Sequence, residues 1–152
     1  MQRATLGRRS AFAASAGLVA LALRPMPAAA SMEDATREAI RRVIGERTPQ
    51  EGRVALRLPA IAENGNNVPL SVTVESPMTA ADHVRAIHVF ADKNPAPEIA
   101  SFRLSPAMGR AQADTRIRLG VTQDVIALAE MQDGQVFIAR AEVRVTIGGC
   151  GG

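Results

Sequence analysis

The stretch VFIARAEVRVTI, residues 136–147, decides the fold. Apolar side chains occupy every second position from Phe137 to Ile147, and most positions between them are charged. This period of two is typical of a β-strand with one buried face and one solvated face. The Asp133-Gly134 pair just before it is the strongest hairpin signal in the chain, because both residue types suit a tight turn. The strand should therefore pair antiparallel with the segment before the turn.

Further strands are predicted on the N-terminal side of this hairpin. Turn signals such as Ser76-Pro77 and the loop with Pro95 and Pro97 separate short runs of β pattern. One run is apolar on both faces apart from Arg85 and His88, so we expect a central strand there. The predicted strands cover residues 53–58, 68–75, 84–91, 99–104, 113–119, 124–131 and 136–147.

About seven short strands with no helix between them predict an all-β domain over residues 53–147. Their spacing is typical of an immunoglobulin-like antiparallel β-sandwich. The chain has a single cysteine, so a disulfide between the two sheets is impossible. Aliphatic packing alone must then hold the sheets together.

An N-terminal helix is predicted over residues 31–45, and residues 31–52 are assigned to this helix and a linker. Ser31 fits an N-cap, and Gly45 is a natural stop. An amphipathic helix must bury its apolar stripe, either on its own domain or on a partner protein. The sequence leaves both possibilities open. The predicted stripe consists of Ala35, Ala39, Ile40, Val43 and Ile44.

Residues 1–30 predict a signal peptide. They carry four arginines and no acid, and an apolar run over residues 11–23 precedes Ala28-Ala29-Ala30. That run is too short to span a bilayer. The Arg8-Arg9 pair favours the twin-arginine export route, although the small Ala11 stands where that signal usually has a bulky residue. We therefore expect cleavage after residue 30 and a mature protein in the periplasm.

The basic charge of the chain belongs largely to this leader. The whole sequence has 18 basic and 15 acidic residues, a net charge of +3. Without the four leader arginines, 14 basic residues face 15 acidic ones, a net charge of −1. No basic block remains, and no Trp or Tyr is present to stack on bases, so nucleic acid is not an expected partner.

The chain ends in a symmetric glycine motif that contains its only cysteine. Because glycine lacks a Cβ, the motif predicts a thin, flexible arm over residues 148–152. At about 3.3–3.6 Å per extended residue, the thiol reaches about 10 Å beyond Ile147. A lone cysteine in an exported protein must pair with another molecule or stay reactive. The arm consists of Gly148, Gly149, Cys150, Gly151 and Gly152.

Cys150 is the candidate site of covalent chemistry. A free thiol, with a pKa of about 8.5, is only a few per cent thiolate at neutral pH. The arm itself offers no base or cation that could activate it. We therefore interpret Cys150 as a passive nucleophile that other proteins activate, which is the behaviour of a covalent carrier rather than of an enzyme.

The remaining polar residues give weaker signals. His83 and His88 are the only histidines, and five residues apart they would point to opposite sides or lie at different heights, so no metal site is expected. Asp114, Arg116 and Arg118 fit the solvated face of a strand or part of a partner interface. The sequence has no Gly-x-Ser-x-Gly elbow, phosphate loop or paired-carboxylate motif.

The leader, the sandwich and the terminal GGCGG together resemble the sulfur-carrier Y subunits of the bacterial thiosulfate-oxidising Sox system. The terminal pentapeptide is the most specific part of this resemblance. Other stretches that are similar to the family lie along the whole mature chain: Glu63-Asn64-Gly65-Asn66, Ser76-Pro77-Met78-Thr79, His88-Val89-Phe90-Ala91-Asp92-Lys93-Asn94-Pro95, Gly109-Arg110-Ala111-Gln112 and Val145-Thr146-Ile147-Gly148-Gly149-Cys150.

This resemblance implies a function and a set of partners. Cys150 would hold pathway intermediates covalently, and a second sandwich subunit, Z, would form a heterodimer with the chain. A c-type haem enzyme would couple thiosulfate to the cysteine, and a manganese hydrolase would release sulfate. In some organisms a molybdenum–haem dehydrogenase would then oxidise the remaining sulfane. The haem, manganese and molybdenum would belong to these partners, so no cofactor is expected in this chain.

Two functions of other kinds remain open at the level of sequence. One is an exported structural sandwich that forms a homodimer through a Cys150–Cys150 disulfide. The other is a carrier of the ubiquitin-like type, in which the terminal Gly151-Gly152 would be activated as a thiocarboxylate. The export leader opposes this second alternative, because such activation needs cytoplasmic ATP.

Overall fold

A computed structural model describes residues 31–147. The predicted leader, residues 1–30, and the predicted arm, residues 148–152, lie outside the described residues. Within the described part, the chain forms one α-helix, one short 3₁₀ helix and nine strands. They are α1 Met32–Ile44, β1 Gln50–Glu51, β2 Val54–Arg57, β3 Ile61–Ala62, β4 Val68–Val74, β5 Val84–Ala91, β6 Glu98–Arg103, the 3₁₀ helix Pro106–Met108, β7 Ala111–Ile117, β8 Gln123–Met131 and β9 Val136–Val145.

The strands form two sheets, which confirms the predicted β-sandwich. The larger sheet has the order β1-β9-β8-β5-β6, and β3 also pairs with β9. The smaller sheet has the order β2-β4-β7. All pairs among the seven longer strands are antiparallel. The ends of these seven strands differ from the predicted ends by no more than two residues.

Two short strands, β1 and β3, are absent from the prediction. Each has two residues and pairs in parallel with β9, with Gln50 opposite Phe137 and Ile61 opposite Arg144. Two residues are too few to show a period of two, so no sequence pattern could reveal them. Both strands lengthen the edge of the larger sheet next to β9.

The main core lies between the two sheets. It takes alternate side chains from β4, such as Val68 and Val72, and packs them against inward side chains of the larger sheet, such as Ile87 and Val89. The predicted central strand β5 indeed lies between β8 and β6, and it is buried on both faces because α1 covers the outer face of the larger sheet. No helix of the described residues is long and apolar enough to cross a membrane.

The helix α1 has the predicted caps. The Ser31 hydroxyl accepts a hydrogen bond from the Asp34 N–H at 3.1 Å, and the Asp34 carboxylate accepts one from the Ser31 N–H at 3.3 Å, which together form a capping box. The Ser31 hydroxyl also donates to the Asp34 carboxylate at 2.8 Å, and this bond, the bond from the Ser31 N–H and the nearby Arg37 lower the pKa of Asp34. Gly45 follows the helix at φ 62°, a region that favours glycine.

The apolar stripe of α1 packs on its own domain. Ile44 is buried against the outer face of the larger sheet, and Ala39, Ile40 and Val43 pack around the same cluster. This resolves the open question: the stripe is not free to dock on a partner protein. The sheet residues in this second core are Phe90, Ile126, Leu128, Val136 and Ile138.

One member of the predicted stripe is wrong. Ala35 is exposed, and Thr36 takes the buried position one residue later. The Thr36 hydroxyl lies 3.0 Å from the Met32 carbonyl and 3.3 Å from the Asp92 carbonyl, so burial leaves it with hydrogen-bond partners. Threonine is polar, so the sequence pattern does not place it in an apolar stripe. It can be buried here because the Asp92 carbonyl of the neighbouring loop accepts a hydrogen bond from its hydroxyl.

Candidate functional site

The candidate site begins at the end of β9, from which the chain continues into the glycine arm. Strand β3 fixes one side of this end. The Arg144 N–H donates to the Ala60 carbonyl at 3.0 Å, and the Thr146 N–H donates to the Ala62 carbonyl at 3.1 Å. On the other side, the Val145 N–H donates to the hydroxyl of Thr122, in the loop before β8, at 3.0 Å. Three successive N–H groups are therefore paired just before the arm.

The asparagine-rich turn after β3 holds the last described residue. The Gly65 N–H donates to the Ile147 carbonyl at 2.8 Å, and the Gly65 carbonyl accepts from the Leu119 N–H at 2.8 Å. The turn itself is closed by the Asn64 side chain, which accepts from the Asn66 N–H at 2.9 Å. Gly65 thus ties the root of the arm to the end of the smaller sheet.

A buried polar pair joins two more loops at the same end. The Asn94 side chain donates to the Arg118 carbonyl at 2.8 Å and accepts from the Gly120 N–H at 3.1 Å. It also accepts from the Gln123 amide at 2.9 Å, and the Gln123 side chain accepts from the Lys93 N–H at 2.9 Å. Asn94 is 7% exposed and Gln123 is 1% exposed, so these bonds form away from water.

Sequence reasoning missed this pair, although a signal was present. Asn94 stands in the stretch Asp92-Lys93-Asn94-Pro95 that resembles the Sox carriers, and Gln123 opens the strand β8, in which all five residues from Val125 to Ala129 are apolar. A polar residue at the edge of an apolar run is a candidate for a buried hydrogen bond. Its partner, 29 residues away, can be identified only from the fold.

The predicted nucleophile Cys150 and its four glycines lie outside the described residues. The structure still fixes where the arm starts. Cys150 is the third residue after Ile147, so at about 3.3–3.6 Å per extended residue its Cα lies at most about 11 Å from the Cα of Ile147. A fixed root and a short arm confine any chemistry of Cys150 to one end of the sandwich.

The two histidines lie apart, as their spacing indicated. His83 faces the Thr79 carbonyl, 3.0 Å from its Nδ1 atom. His88 lies on the outer face of the larger sheet, with its Nδ1 atom 2.9 Å from the Ser101 hydroxyl. Within residues 31–147, no group of three His, Cys, Asp or Glu side chains could hold a metal ion.

His88 belongs to an ionic network that sequence reasoning also missed. Its Nε2 atom lies 3.1 Å from one oxygen of Glu130, and Arg47 contacts the other oxygen at 2.5 Å. Arg47 also donates to the Ile44 carbonyl at 2.7 Å, so it joins the C-terminus of α1 to strand β8. Burial acts to raise the pKa of Glu130, but the bonds from Arg47 and His88 outweigh burial and hold that pKa below its ordinary value.

Three charged residues in and just after β7 are exposed, which fits both interpretations, a solvated strand face and part of a partner interface. Asp114, Arg116 and Arg118 are all exposed, and the first two lie on the outer face of the smaller sheet. The Gln112 amide donates to Asp114 at 2.7 Å, and Arg116 donates to the Asn67 side chain at 3.0 Å. The second bond adds a further contact to the turn that anchors the arm.

Comparison with known proteins identifies the family. The model of the family described as sulfur oxidation protein SoxY matches residues 40–150, a span that includes Cys150. The solved structure of the sulfur carrier protein SoxY from Chlorobium limicola f thiosulfatophilum is 30% identical, with a TM-score of 0.62. The alignment covers 73% of this chain and 96% of that one. No curated protein sequence matches this chain.

Other solved structures share only the fold. A superoxide reductase (neelaredoxin) from Ignicoccus hospitalis is 16% identical, with a TM-score of 0.55 over 62% of this chain and 80% of that one. A putative superoxide reductase from Thermotoga maritima is 20% identical, with a TM-score of 0.54 over 63% and 87%. The resemblance that the sequence motifs indicated is thus confirmed: the chain belongs to the SoxY family of sulfur oxidation proteins.

Proposed function

We propose that this SoxY chain carries the intermediates of thiosulfate oxidation as covalent adducts on Cys150 and presents them to partner enzymes in the periplasm. The observation that carries the proposal is the placement of the only cysteine. It lies within the family match, five residues beyond the end of β9, which hydrogen bonds fix on both sides. A fixed root with a short glycine arm suits a thiol that must enter the reactive sites of several other proteins.

The chemistry of loading requires only a thiolate from this chain. Its sulfur forms an S–S bond with the outer sulfur of thiosulfate, and two electrons leave to a c-type haem enzyme. The product is a cysteine S-thiosulfonate of charge −1. Hydrolysis by a manganese enzyme then breaks the bond to the sulfone, releases sulfate and two protons, and leaves a persulfide anion on Cys150. A molybdenum–haem dehydrogenase would oxidise this remaining sulfane in organisms that possess one.

Replacement of Cys150 tests the proposal. In Cys150→Ser, a neutral hydroxyl is a far weaker nucleophile than a thiolate and cannot form the S–S bond. We expect thiosulfate-dependent electron transfer to fall to background when the partner enzymes are present. Wild-type electron transfer in this variant would disprove covalent carriage on Cys150.

Export and a Z-type partner are parts of the same proposal. The leader with Ala28-Ala29-Ala30 supports a mature N-terminus at Ser31, the residue that caps α1. N-terminal sequencing of the exported protein tests this, and an uncleaved leader would contradict it.

The Z-type subunit is proposed to bind the outer face of β2-β4-β7. The packing of α1 on the outer face of the larger sheet supports this choice of face. Size-exclusion chromatography after co-expression tests this pairing, and two separate monomers would contradict it.

A further inference from the structure

A single lysine stands at the end of the sandwich where the arm begins. Of the 18 lysine and arginine residues in the sequence, Lys93 is the only lysine. It is exposed and lies in the loop between β5 and β6. Its Nζ atom lies 3.5 Å from the Thr122 carbonyl, and the Thr122 hydroxyl accepts from the Val145 N–H at 3.0 Å. Thr122 therefore links the ammonium group to the last residue of β9.

Hydrogen bonds fix the backbone on both sides of this lysine. The Lys93 N–H donates to the buried Gln123 side chain at 2.9 Å, and the next residue, Asn94, is held by the buried bonds described above. Before it, the Asp92 N–H donates to the Asp124 carbonyl at 3.1 Å, and the Asp92 carboxylate accepts from the Asp124 N–H at 3.0 Å. Three successive residues are thus anchored, so the place from which the lysine side chain extends is set by the fold.

The charge of Lys93 has no ionic partner in the part of the chain that the structure describes. Within residues 31–147, no carboxylate forms an ion pair with its ammonium group. Asp92 and Asp124 instead line a groove beside α1, which Arg37 and Arg140 also line. The lysine can therefore receive an anion from outside these residues. The other charged side chains at this end of the sandwich are Glu63, Arg118, Glu142 and Arg144, and the last two pair with each other.

The group at Cys150 is an anion at each stage of the proposed cycle. The reactive thiolate, the S-thiosulfonate and the persulfide each bear one negative charge. The Cα of Cys150 lies at most about 11 Å from that of Ile147, and the glycines of this segment permit a reversal of the chain. One cation beside the end of β9 can therefore meet all three forms.

We propose that the Lys93 ammonium group is the counter-ion of the carried group, and that it pairs with the Cys150 thiolate before loading and with the anionic adducts after it. This inference rests on the proposed carrier function and names the residue of this chain that meets the carried charge. Two opposite charges about 4 Å apart in water attract each other enough to shift an equilibrium about fivefold. So weak a pair suits an arm that must leave the sandwich again for each enzyme.

The test measures the pH profile of Cys150 alkylation in the reduced, mature carrier bound to its Z-type subunit. Iodoacetamide is uncharged and reacts with the thiolate, so its rate follows the thiolate fraction of the only cysteine. In Lys93→Gln we expect the rate at pH 7 to fall about two- to fivefold and the profile to move to higher pH, because the thiolate loses its counter-ion. Lys93→Arg keeps the charge and should match the wild type. At about 1 M salt the difference between Lys93→Gln and the wild type should disappear, because salt screens exposed charges.

Arg103→Gln is the control for the loss of one positive charge. Arg103 is exposed and pairs with Ala86 of β5, whereas Glu98, at the start of the same strand, pairs with Phe90 near the arm end. Arg103 therefore lies at the opposite end of the sandwich, and its replacement should leave the alkylation profile unchanged. Lys93→Gln should melt at the wild-type temperature, because the side chain is exposed and the bond from its backbone N–H remains.

Three results would overturn the inference. Identical profiles in Lys93→Gln and the wild type, with normal thiosulfate-dependent electron transfer, would leave the carrier function standing and remove the counter-ion. A slower rate that persists at about 1 M salt, or that also occurs in Arg103→Gln, would assign the effect to structure or to net charge instead of to this pair. A wild-type carrier that the partner enzymes never load would remove the proposed function and this inference together.

Discussion

The two ends of the sandwich are built in different ways. At the end opposite the arm, β8 and β9 are joined by a local hairpin in which Gly134 has φ 88° and donates to the Met131 carbonyl at 3.2 Å. The Asp133 carboxylate accepts from the Gln135 N–H at 2.9 Å, so bonds within five residues close the turn. Two bonds from distant residues add to it, from the Gln132 N–H to the His83 carbonyl at 2.9 Å and from Arg47 to the Gly134 carbonyl at 3.4 Å. Such a turn can form wherever its own sequence occurs.

At the arm end, the loops are held by bonds between residues far apart in the chain. Asn94 binds residues 118, 120 and 123, and Gly65 joins Ile147 to Leu119. These bonds cross between loops and between the two sheets. The loops at the arm end therefore depend on bonds between distant residues, whereas the turn between β8 and β9 is closed by bonds within its own sequence and only reinforced by distant ones.

The largest expected effect separates the arm from the domain that holds it. In Gly149→Val, a β-branched side chain stiffens and thickens the arm just before the thiol, so we expect turnover by the partner enzymes to fall at least about tenfold. The described core residues lie elsewhere, so the melting temperature of the domain should not change. Thermal melting and thiosulfate-dependent electron transfer measure the two effects.

Gly149→Ala is the matched control for this variant. Alanine adds a single methyl group without a branch at Cβ, and we expect it to retain most of the turnover. If Gly149→Val reacts at the wild-type rate with every partner, the glycines are not required for access and the arm hypothesis is wrong.

A smaller effect is expected within the arm end itself. Asn94→Ala leaves the Gly120 N–H and the Gln123 amide without their buried acceptor, which should lower the free energy of unfolding by about 2–3 kcal/mol. Asn66→Ala, at an exposed position of the nearby turn, should change it by less than about 0.5 kcal/mol. Urea denaturation measures both. Equal values for the two variants would show that the buried bonds do not stabilise this end.

The smallest expected effect tests the link between α1 and the larger sheet. The pKa of Glu130 is lowered in the folded protein, so its charge stabilises the fold above the ordinary value of 4.5 and this contribution disappears as the pH falls below it. Glu130→Gln should therefore lower the free energy of unfolding by about 1–2 kcal/mol at pH 7, and the difference from the wild type should shrink in acid.

The control for Glu130 is an exposed ion pair on β9. Glu142 lies 3.7 Å from Arg144, and both side chains are more than half exposed, so Glu142→Gln should change the free energy of unfolding by less than about 0.5 kcal/mol. Urea denaturation at pH 7 and at pH 4 measures both variants. A difference between Glu130→Gln and the wild type that does not shrink at pH 4 would contradict the assigned charge.

Local patterns were enough to predict α1 and the seven longer strands but not the contacts that hold the site. The period of two in β9 and the Asp133-Gly134 pair predicted the hairpin, because both signals lie within a short stretch. By contrast, the bond between Arg47 and Glu130 joins residues 83 positions apart. Arg47 lies in the segment that the sequence assigned to a linker, so nothing near it indicated an ionic partner.

Intact-mass analysis with peptide mapping tests the central claim most directly. The protein is purified from its native host grown on thiosulfate, and the C-terminal peptide is sequenced by fragmentation with and without a thiol reductant. We expect added sulfur located on Cys150 and removed by the reductant. Recovery of only a Cys150–Cys150 disulfide dimer with no adduct, or sulfur on the terminal carboxylate of Gly152, would contradict carriage of intermediates on the cysteine.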